Sequence, residues 1–512
     1  MAYGNQGRQR PCKIIMKLDQ IKLRPGECVE LLPSKMEKKT GKRVRNWRIL
    51  KESIDARKKN DIRIVYSVEF NYDPKDEIGR MDIPAVSSET QPVIAGFGPC
   101  GIFAALVLAR AGLKPIVLER GMDVDHRTEQ VERFWKEGIL DTESNVQFGE
   151  GGAGAFSDGK LTTGIKDPRV AFVLKELQLH GGPEDILYKA RPHIGTDVLK
   201  TVVKNIREEI ISLGGEVIFG ARVSGIEIEG SEIKGVEYYL EGDRHQIETD
   251  RLVLAIGHSS RDTLKWLRDM DIAMSQKQFS MGVRAEHPQD LIDTAQYGRP
   301  SRELGLPVAD YKLACRTKEG RGVYTFCMCP GGQVVVASSE AGMVVTNGMS
   351  YHARNSGYAN SAVLVDVRPE DFGTEDVLGG VYLQQKYERL AFERGGGYHA
   401  PKAFWKDVRD DNAPQVTDCL PDFVTDSIRE AMPEFGRKIK GFDGDDTVIY
   451  AVESRSSSPV RFTRNEDYQG FIGDECLTGF YPSGEGAGYA GGIVSAAVDG
   501  IRVALKIIES FR

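Results

Sequence analysis

Three glycines, Gly96, Gly98 and Gly101, lie between a short apolar segment and a longer one. Gly96 permits a tight turn, Gly98 lets backbone N–H groups approach a pyrophosphate, and Gly101 allows the following helix to lie close to the strand. Glu119 stands 18 residues after Gly101, where a carboxylate can accept hydrogen bonds from a ribose, and Arg120 follows it. The spacing predicts a dinucleotide site, and the acidic residue favours FAD or NAD over NADP.

A second glycine-rich loop covers residues 149–161 and carries backbone donors, a hydroxyl and charged side chains. Such a loop suits the ribityl chain and the edge of a flavin ring, so FAD is favoured over NAD. Gly257 ends an apolar strand expected to pass beside the first loop, and Val223 begins a hairpin. The cofactor residues predicted from these segments are Gly152, Gly154, Ser157, Asp158, Gly159, Lys160, Leu161, Val223 and Gly257.

A third glycine-rich segment, residues 479–493, comes directly before the last apolar helix. Glu485 is expected to bond the ribityl hydroxyls, and the helix N-terminus is expected to face the flavin N1–C2 carbonyl, where reduction places negative charge. The residues assigned here to the cofactor are Gly484, Glu485, Gly491, Gly492 and Ile493. No residue is clearly placed for covalent attachment, so the sequence predicts non-covalent FAD.

Four residues are candidates for the reaction itself. Arg455 and Arg461 could hold a substrate carboxylate, because planar guanidinium groups pair bidentately with one. Ordinary structural ion pairs are an equally good explanation of these arginines and of Arg464. Tyr481 and His258 lie next to the cofactor segments and could donate a proton.

Cys327 and Cys329 form the one close cysteine pair in the sequence. They could be a redox or ligand pair, but no second pair lies nearby to complete a metal site, so no metal is predicted. A packing role or a place beside the flavin is the favoured interpretation.

The elements needed to position these residues follow from apolar periodicity. In the first ninety residues we predict strands over Cys12–Leu23 and Ile62–Phe70, and helices over Glu27–Lys39 and Trp47–Lys59. From Pro92 the pattern becomes strand, glycine turn, helix and strand, which is typical of a doubly wound domain. Further on we predict a helix over Val198–Ser212, strands over Glu216–Phe219 and Arg251–Ile256, and a final helix over Val494–Ile508.

The predicted fold is α/β: a Rossmann-type FAD-binding domain with an inserted α+β substrate or cap domain and a small N-terminal α+β domain. The expected boundaries are 1–90 for the basic N-terminal domain, 91–264 and 466–512 for the FAD-binding domain, and 265–465 for the insert.

Composition and charge limit the class of protein. The 512 residues carry a net charge of −7, which gives no reason to expect nucleic acid as the main partner. Residues 1–60, however, hold 17 Lys and Arg against 6 Asp and Glu, and this keeps RNA or an acidic partner open as an alternative. We find no signal peptide and no membrane-spanning segment, and therefore expect a cytoplasmic location with mostly free thiols.

At these residues the sequence resembles a bacterial and archaeal family of FAD-dependent dehydrogenases, distantly related to fumarate-reductase-like and aminoacetone-oxidase-like flavoproteins. Ser456 departs from the family pattern, which has threonine there. The resemblance implies FAD and redox chemistry and supplies no substrate. It rests on Ser53–Lys59, Phe148–Leu161, Thr325–Gly332, Asn347–Ser350, Ala359–Ala362, Glu453–Pro459 and Tyr481–Ile493.

The favoured function is an oxidoreductase that passes a hydride between flavin N5 and a small organic substrate, at a carbon–carbon bond beside a carbonyl or carboxylate. No second dinucleotide fingerprint is present, so either transient NAD(P)H or an electron carrier is expected to exchange electrons with the flavin. The alternative is an RNA- or protein-binding flavoprotein recruited through its basic N-terminal domain.

Overall fold

The computed structural model describes residues 16–73 and 75–511. Its first part is a three-stranded antiparallel sheet in the order β1-β3-β2, with one helix packed on it through Leu32 and Met36. The part of the predicted first strand that precedes Met16 lies outside the described residues. The elements are β1 (Met16–Leu23), α1 (Leu32–Thr40), β2 (Trp47–Asp55) and β3 (Arg63–Phe70).

The helix predicted over Trp47–Lys59 is wrong. Residues Trp47–Asp55 form strand β2, which pairs antiparallel with β3. Leu, Lys, Glu and Arg favour a helix only weakly, and pairing with an adjacent strand overrides that preference. The sheet is therefore larger, and the helical content smaller, than the sequence pattern indicates.

The next part alternates strands and helices, and it confirms the predicted strand, glycine turn and helix after Pro92. Its elements are β4 (Val93–Ala95), α2 (Pro99–Arg110), β5 (Ile116–Glu119), α3 (Val124–Glu137), α4 (Arg169–Leu179), α5 (Thr196–Ser212) and β6 (Glu216–Phe219). A three-stranded antiparallel sheet follows, then a strand that returns to the parallel sheet, a helix and a short strand. These elements are β7 (Arg222–Glu229), β8 (Glu232–Leu240), β9 (Asp243–Glu248), β10 (Leu252–Leu254), α6 (Arg261–Asp269) and β11 (Met274–Gln276).

The longest continuous section is mixed α and β structure. It contains β12 (Phe279–Pro288), α7 (Gln289–Tyr297), α8 (Ser301–Leu304), β13 (Ala314–Arg316), β14 (Gly322–Pro330), β15 (Gln333–Val336), β16 (Thr346–Met349), β17 (Tyr358–Val367), α9 (Gly379–Gly395), β18 (Lys402–Phe404), α10 (Trp405–Arg409), α11 (Pro414–Thr417), α12 (Asp422–Lys438) and β19 (Val448–Glu453). The chain then closes with β20 (Val460–Phe462), β21 (Phe471–Ile472), β22 (Glu475–Cys476), β23 (Phe480–Pro482) and α13 (Ile493–Glu509).

Two large sheets organise the molecule. Five parallel strands lie in the order β23-β10-β4-β5-β6. From β4 the chain adds β5 and β6 on one side of the sheet and later adds β10 and β23 on the other side, so the order reverses at β4. In such Rossmann-like sheets the ligand crevice lies outside the carboxyl ends of the strands at this reversal. Helix α13 packs closely on α2, because a Cβ on Gly500 would lie 2.2 Å from the Cys100 carbonyl oxygen.

The second sheet is antiparallel, with six strands in the order β13-β14-β17-β12-β19-β18. Helices α7 and α12 cover it through a continuous apolar cluster that includes Ile292, Val363 and Phe435. The other side of β14 and β16 turns toward the parallel sheet. Among the described residues no helix combines the length and apolarity needed to cross a membrane.

Candidate active site

A cavity of about 760 Å³ begins at the carboxyl ends of β4 and β10 and extends to the six-stranded sheet. It brings together most of the residues that the sequence assigns to a cofactor or to catalysis. These are Gly96, Gly98, Glu119, Arg120, Gly152, Gly154, Ser157, Asp158, Gly159, Lys160, Val223, Gly257, His258, Arg455, Glu485, Gly491, Gly492 and Ile493. Gly101, Leu161, Gly484, Tyr481 and Arg461 do not line it.

In the first glycine turn, Gly96 and Gly101 have structural roles, whereas Gly98 faces open space. Gly96 has φ +100°, and a Cβ on Gly101 would lie 1.9 Å from the Gly96 carbonyl oxygen. Gly101 therefore sets the distance between strand and helix. A Cβ on Gly98 would meet only the Gly152 Cα, at 3.7 Å, so the space in front of this turn is free for a ligand at the N-terminus of α2.

Glu119 ends β5 at the cavity wall and is 5% exposed. Its carboxylate accepts hydrogen bonds from the backbone N–H groups of Phe97 at 2.7 Å, Gly121 at 2.9 Å and Gly149 at 2.9 Å. A carboxylate offers about four acceptor positions, so one remains for a ribose hydroxyl. Glu119, which the sequence assigns to the cofactor site, thus lies at the cavity. Its carboxylate also joins the first and second loops.

Arg120 also lines the cavity, where ion pairs and an aromatic ring fix its guanidinium. The group pairs with Glu143 at 2.9 Å and Asp262 at 3.0 Å and lies over the Phe148 ring at 4.2 Å. A planar cation fixed in this way presents a flat surface beside the ribose end of the cavity, which suits an adenine ring.

The second loop carries a buried ionic cluster. Asp158 is 1% exposed and contacts Lys160 at 3.3 Å and Arg354 at 3.1 Å, and it accepts a hydrogen bond from Ser350. Burial alone would raise the pKa of Asp158, but Lys160 and Arg354 lower it to about 2. Asp158 is therefore a charged anchor for the loop, while the predicted ligand Leu161 is buried in the apolar core.

The third segment meets the strand that ends at Gly257. A Cβ on Gly486 would lie 2.4 Å from the Gly257 carbonyl oxygen, so this close approach needs glycine at position 486, whereas Gly257 is favoured by its φ of +69°. The approach places Glu485 beside His258, whose Nδ1 lies 3.3 Å from Glu485 Oε1. His258 Nε2 is buried without a hydrogen-bond partner among the described residues, which leaves a polar atom at the cavity for a bound molecule.

The N-terminus of α13 borders the same region. A Cβ on Gly491 or Gly492 would have no heavy atom within 4 Å, and the first-turn N–H groups of a helix have no partner within the helix. Gly484, by contrast, has a structural role, because its N–H donates to Asp499 at 2.8 Å. The free turn at Gly98, the acceptor Glu119, the unpaired His258 Nε2 and this helix end together fit a flavin dinucleotide.

Three of the residues predicted to be catalytic have surroundings that differ from those expected. Tyr481 lies in β23 with its ring in the core between α2 and α13, and burial raises the pKa of its phenol. Arg461 is exposed outside the cavity over the Tyr489 ring, at 4.4 Å. Arg455 reaches the cavity wall, but its Nη2 lies 2.7 Å from Glu388 and its Nη1 2.6 Å from Ser339 Oγ.

Arg455 and Arg464 therefore form structural ion pairs, which is the second explanation that the sequence left open. Glu388 is fully buried between Arg455 and Arg261, and burial alone would raise its pKa, but the two guanidinium groups hold the pKa far below its ordinary value. Arg464 pairs with Asp499 at 2.8 Å. Removing one member would leave a buried charge unpaired, which explains why arginine and glutamate occur here without a substrate.

Sequence reasoning missed the wall formed by the six-stranded sheet and its neighbours. Thr325, Phe326, Cys327, Met328, Tyr311, Lys312, Thr346, Asn347 and Arg354 line the cavity from this side. The available signal was the segment Thr325–Gly332, which combines a strand pattern with two cysteines and a glycine pair. Lys312 is exposed at the cavity edge and has no ion-pair partner among the described residues.

One group of metal-type side chains lies elsewhere. Glu176, His180 and Glu209 offer ligand atoms within 4.8 Å of one another. Arg110 already pairs with Glu176 and with Glu209, at 2.7 Å each, so one guanidinium offsets part of their negative charge.

Comparison with known proteins gives two matching family models. Residues 278–456 match a model described as "FAD-dependent protein, C-terminal domain-like", and residues 16–71 match a domain of unknown function. A protein from Clostridium beijerinckii, described as an uncharacterized protein, is 49% identical over 499 residues, covering 90% of this chain and 92% of that relative.

Solved structures show more distant similarity. A triple mutant of the flavin-dependent brominase Bmp2 is 13% identical, with a TM-score of 0.40, covering 83% of this chain and 81% of that chain. L-proline dehydrogenase from P. horikoshii is 13% identical, with a TM-score of 0.34, covering 83% and 94%. Glycine oxidase from Bacillus cereus is 11% identical, with a TM-score of 0.32, covering 83% and 96%.

Proposed function

We propose that this chain, which belongs to one family with the 49% identical protein from Clostridium beijerinckii and whose residues 278–456 match the FAD-dependent model, is an oxidoreductase acting on a small organic molecule. In this proposal a hydride passes between the flavin and a carbon–carbon bond beside a carbonyl or carboxylate. One FAD is bound without a covalent link.

The observation that carries the proposal is the continuity of one cavity. It runs from the glycine turn at Gly98, past Glu119, to His258 and Glu485, and on to Phe326 and Lys312. The first part has the features of a dinucleotide site, and the far part combines apolar and polar walls. A substrate in the far part would meet the flavin face with little water between them.

In this proposal some parts of the chain bind the cofactor and one residue transfers a proton. The N-termini of α2 and α13 attract negative charge, at the pyrophosphate and at the flavin N1–C2 edge respectively. Bound FAD supplies N5 as hydride donor or acceptor. His258 Nδ1 lies 3.3 Å from Glu485 and its Nε2 has no hydrogen-bond partner among the described residues, so we assign His258 the role of holding or delivering the proton.

The anionic group of the substrate needs a cation other than Arg455 and Arg461. Lys312 borders the far part of the cavity and is free of ion pairs among the residues that the structure describes. We assign it the role of binding the substrate carboxylate or carbonyl.

The proposed division of the chain keeps the boundaries expected from its sequence. Residues 91–264 and 466–512 bind FAD, residues 265–465 supply the substrate wall, and residues 1–90 are the basic N-terminal domain. Electrons enter or leave through transient NAD(P)H or through an electron carrier, at the open edge of the cavity. The alternative of RNA or protein recruitment through the basic unit has no support in the geometry or in the comparisons.

Anaerobic turnover tests this function. The protein is reduced with NADH, NADPH or dithionite and then mixed with matched enoates and neutral enones, while the visible absorbance of flavin is followed. We expect rapid reoxidation by at least one compound and deuterium transfer from labelled reduced flavin to its β-carbon. A flavin that every compound in the panel leaves reduced would rule out this class of reaction.

A further inference from the structure

A β-bulge interrupts the strand that forms the far wall of the cavity. Strand β14 pairs in register with β17 through Phe326 and resumes at Cys329, so Cys327 and Met328 form the irregular part. Cys327 has φ +42°, a conformation that a residue with a side chain rarely adopts. Strained backbone of this kind is concentrated at functional sites, because surrounding structure has to hold it.

The side chains of the two cysteines are hydrogen-bonded to each other within the bulge. Cys327 lines the cavity, and Cys329 is fully buried behind it, with its Sγ 3.2 Å from the Cys327 carbonyl oxygen. A Cβ on Gly348 would lie 2.7 Å from Cys329 Sγ. The same Cβ would lie 2.3 Å from Arg284 Nη1, so the glycine in β16 makes room for the Arg284 guanidinium as well as for the second sulfur.

Two cations face the thiols. Lys160 donates a hydrogen bond to the Met328 carbonyl, and Arg284 donates one to the Cys327 carbonyl at 3.2 Å. The hydrogen bond from Cys329, with the charges of Lys160 and Arg284, lowers the pKa of Cys327 despite its burial. The neighbouring Cys327 and burial raise the pKa of Cys329 well above its ordinary value. The two shifts favour loss of the proton from Cys327 and its retention by Cys329.

We propose that Cys327 and Cys329 are a redox-active dithiol that exchanges two electrons with the bound flavin, so that a small external dithiol can serve as reductant of the enzyme. The inference rests on the proposed binding of FAD in the same cavity. It answers the open question of the electron donor without a second dinucleotide site.

The step balances within the cavity. The Cys327 thiolate and the Cys329 thiol join in a disulfide, the Cys329 S–H bond breaks, and two electrons with that proton pass to oxidised flavin, which becomes anionic reduced flavin. An external dithiol then reduces the disulfide by thiol–disulfide exchange, and is itself oxidised to a disulfide.

Electron counting on the whole protein tests the inference. After mild oxidation with diamide, the holoprotein is titrated anaerobically with dithionite, and free thiols are counted by alkylation after denaturation, before and after reduction. We expect four electrons per FAD and two fewer alkylated thiols in the oxidised sample. Cys327→Ser and Cys329→Ser should each take up two electrons, whereas Cys315→Ser, in the same sheet, should take up four.

Wild-type protein that takes up two electrons per FAD, with equal thiol counts before and after reduction, would overturn the inference even if neither cysteine variant folds. That result leaves the proposed function intact, because FAD is still bound and reduced. Protein that binds no FAD would remove both proposals, and the thiol count alone would then show whether the pair forms a disulfide.

Discussion

Glu485 and His258 show how single residues decide the chemistry of the cavity. The carboxylate holds one imidazole nitrogen at 3.3 Å, and the other nitrogen is buried without a partner among the described residues. A buried polar atom without a partner costs free energy unless a ligand satisfies it. This pair therefore indicates where the ribityl and ring atoms of the cofactor should lie.

Glu485→Gln is expected to weaken FAD binding about ten- to hundredfold, because a charge-assisted hydrogen bond of roughly 1.5–3 kcal/mol is lost. The fold should survive. Titration of apo-protein with FAD measures the change, and Glu466→Gln, exposed in the same part of the chain, is the matched control. Unchanged affinity in Glu485→Gln would place the carboxylate outside the cofactor site.

Asp158 makes stability depend on pH in a defined direction. Its pKa falls from 3.8 to about 2 on folding, so its contribution is complete above about pH 4 and is lost as the pH falls through 2. The shift corresponds to about 2 kcal/mol. Urea unfolding between about pH 5 and pH 2 should show a shallower decline for Asp158→Asn than for wild type or for exposed Asp474→Asn. Parallel curves for all three would contradict the assignment.

Lys312 is expected to act on charged substrates alone. Lys312→Met should lower kcat/KM for an enoate about fivefold, since an exposed ion pair contributes up to about 1 kcal/mol, and should leave a neutral enone unaffected. Lys318→Met changes an exposed lysine away from the cavity and is the control. Equal losses on both substrates would assign Lys312 to structure rather than to recognition.

At the scale of elements, the turn between β4 and α2 separates ligand binding from packing. Gly98 faces open space, whereas Gly101 touches the Gly96 carbonyl oxygen closely enough that a Cβ would lie at 1.9 Å. The same glycine pattern thus serves two purposes within one turn of chain. Variants at the two positions should fail in different ways.

Gly98→Val should give a folded protein that does not retain FAD, because the side chain fills the space in front of the helix N-terminus. Gly101→Ala should lose folding stability and FAD together, because strand and helix are forced apart. The FAD-to-protein ratio and the free energy of unfolding of apo-protein distinguish the two outcomes. Stoichiometric FAD in Gly98→Val would remove this loop from the site.

Local sequence patterns were sufficient to predict those elements that form because of their own backbone conformation and apolar spacing. The glycine turns, the strand at Glu216–Phe219 and the helix near Val198–Ser212 follow from backbone conformation and apolar spacing. Strand β2 was not predictable in this way, because its pairing with β3 overrides helix propensity. Arg455 was misassigned for a related reason: its partner Glu388 lies 67 residues away and no local pattern links them.

At the scale of the whole molecule, the parallel sheet and the six-stranded sheet form opposite walls of one cavity. Tyr481 illustrates what this arrangement decides, since its side chain is buried in the core while His258 lines the cavity. The far wall comes from residues some two hundred positions beyond the first glycine turn, so only the fold brings them together. The cavity thereby lies between two parts of one chain.

Cofactor analysis of the purified protein tests whether the cavity binds FAD. We expect one FAD per chain, released into solution when the polypeptide is denatured by acid or heat, and its rebinding to apo-protein with recovery of the flavin spectrum. Colour that remains with the denatured chain would contradict non-covalent binding. A colourless protein that takes up no added FAD would contradict the assignment of the cavity itself.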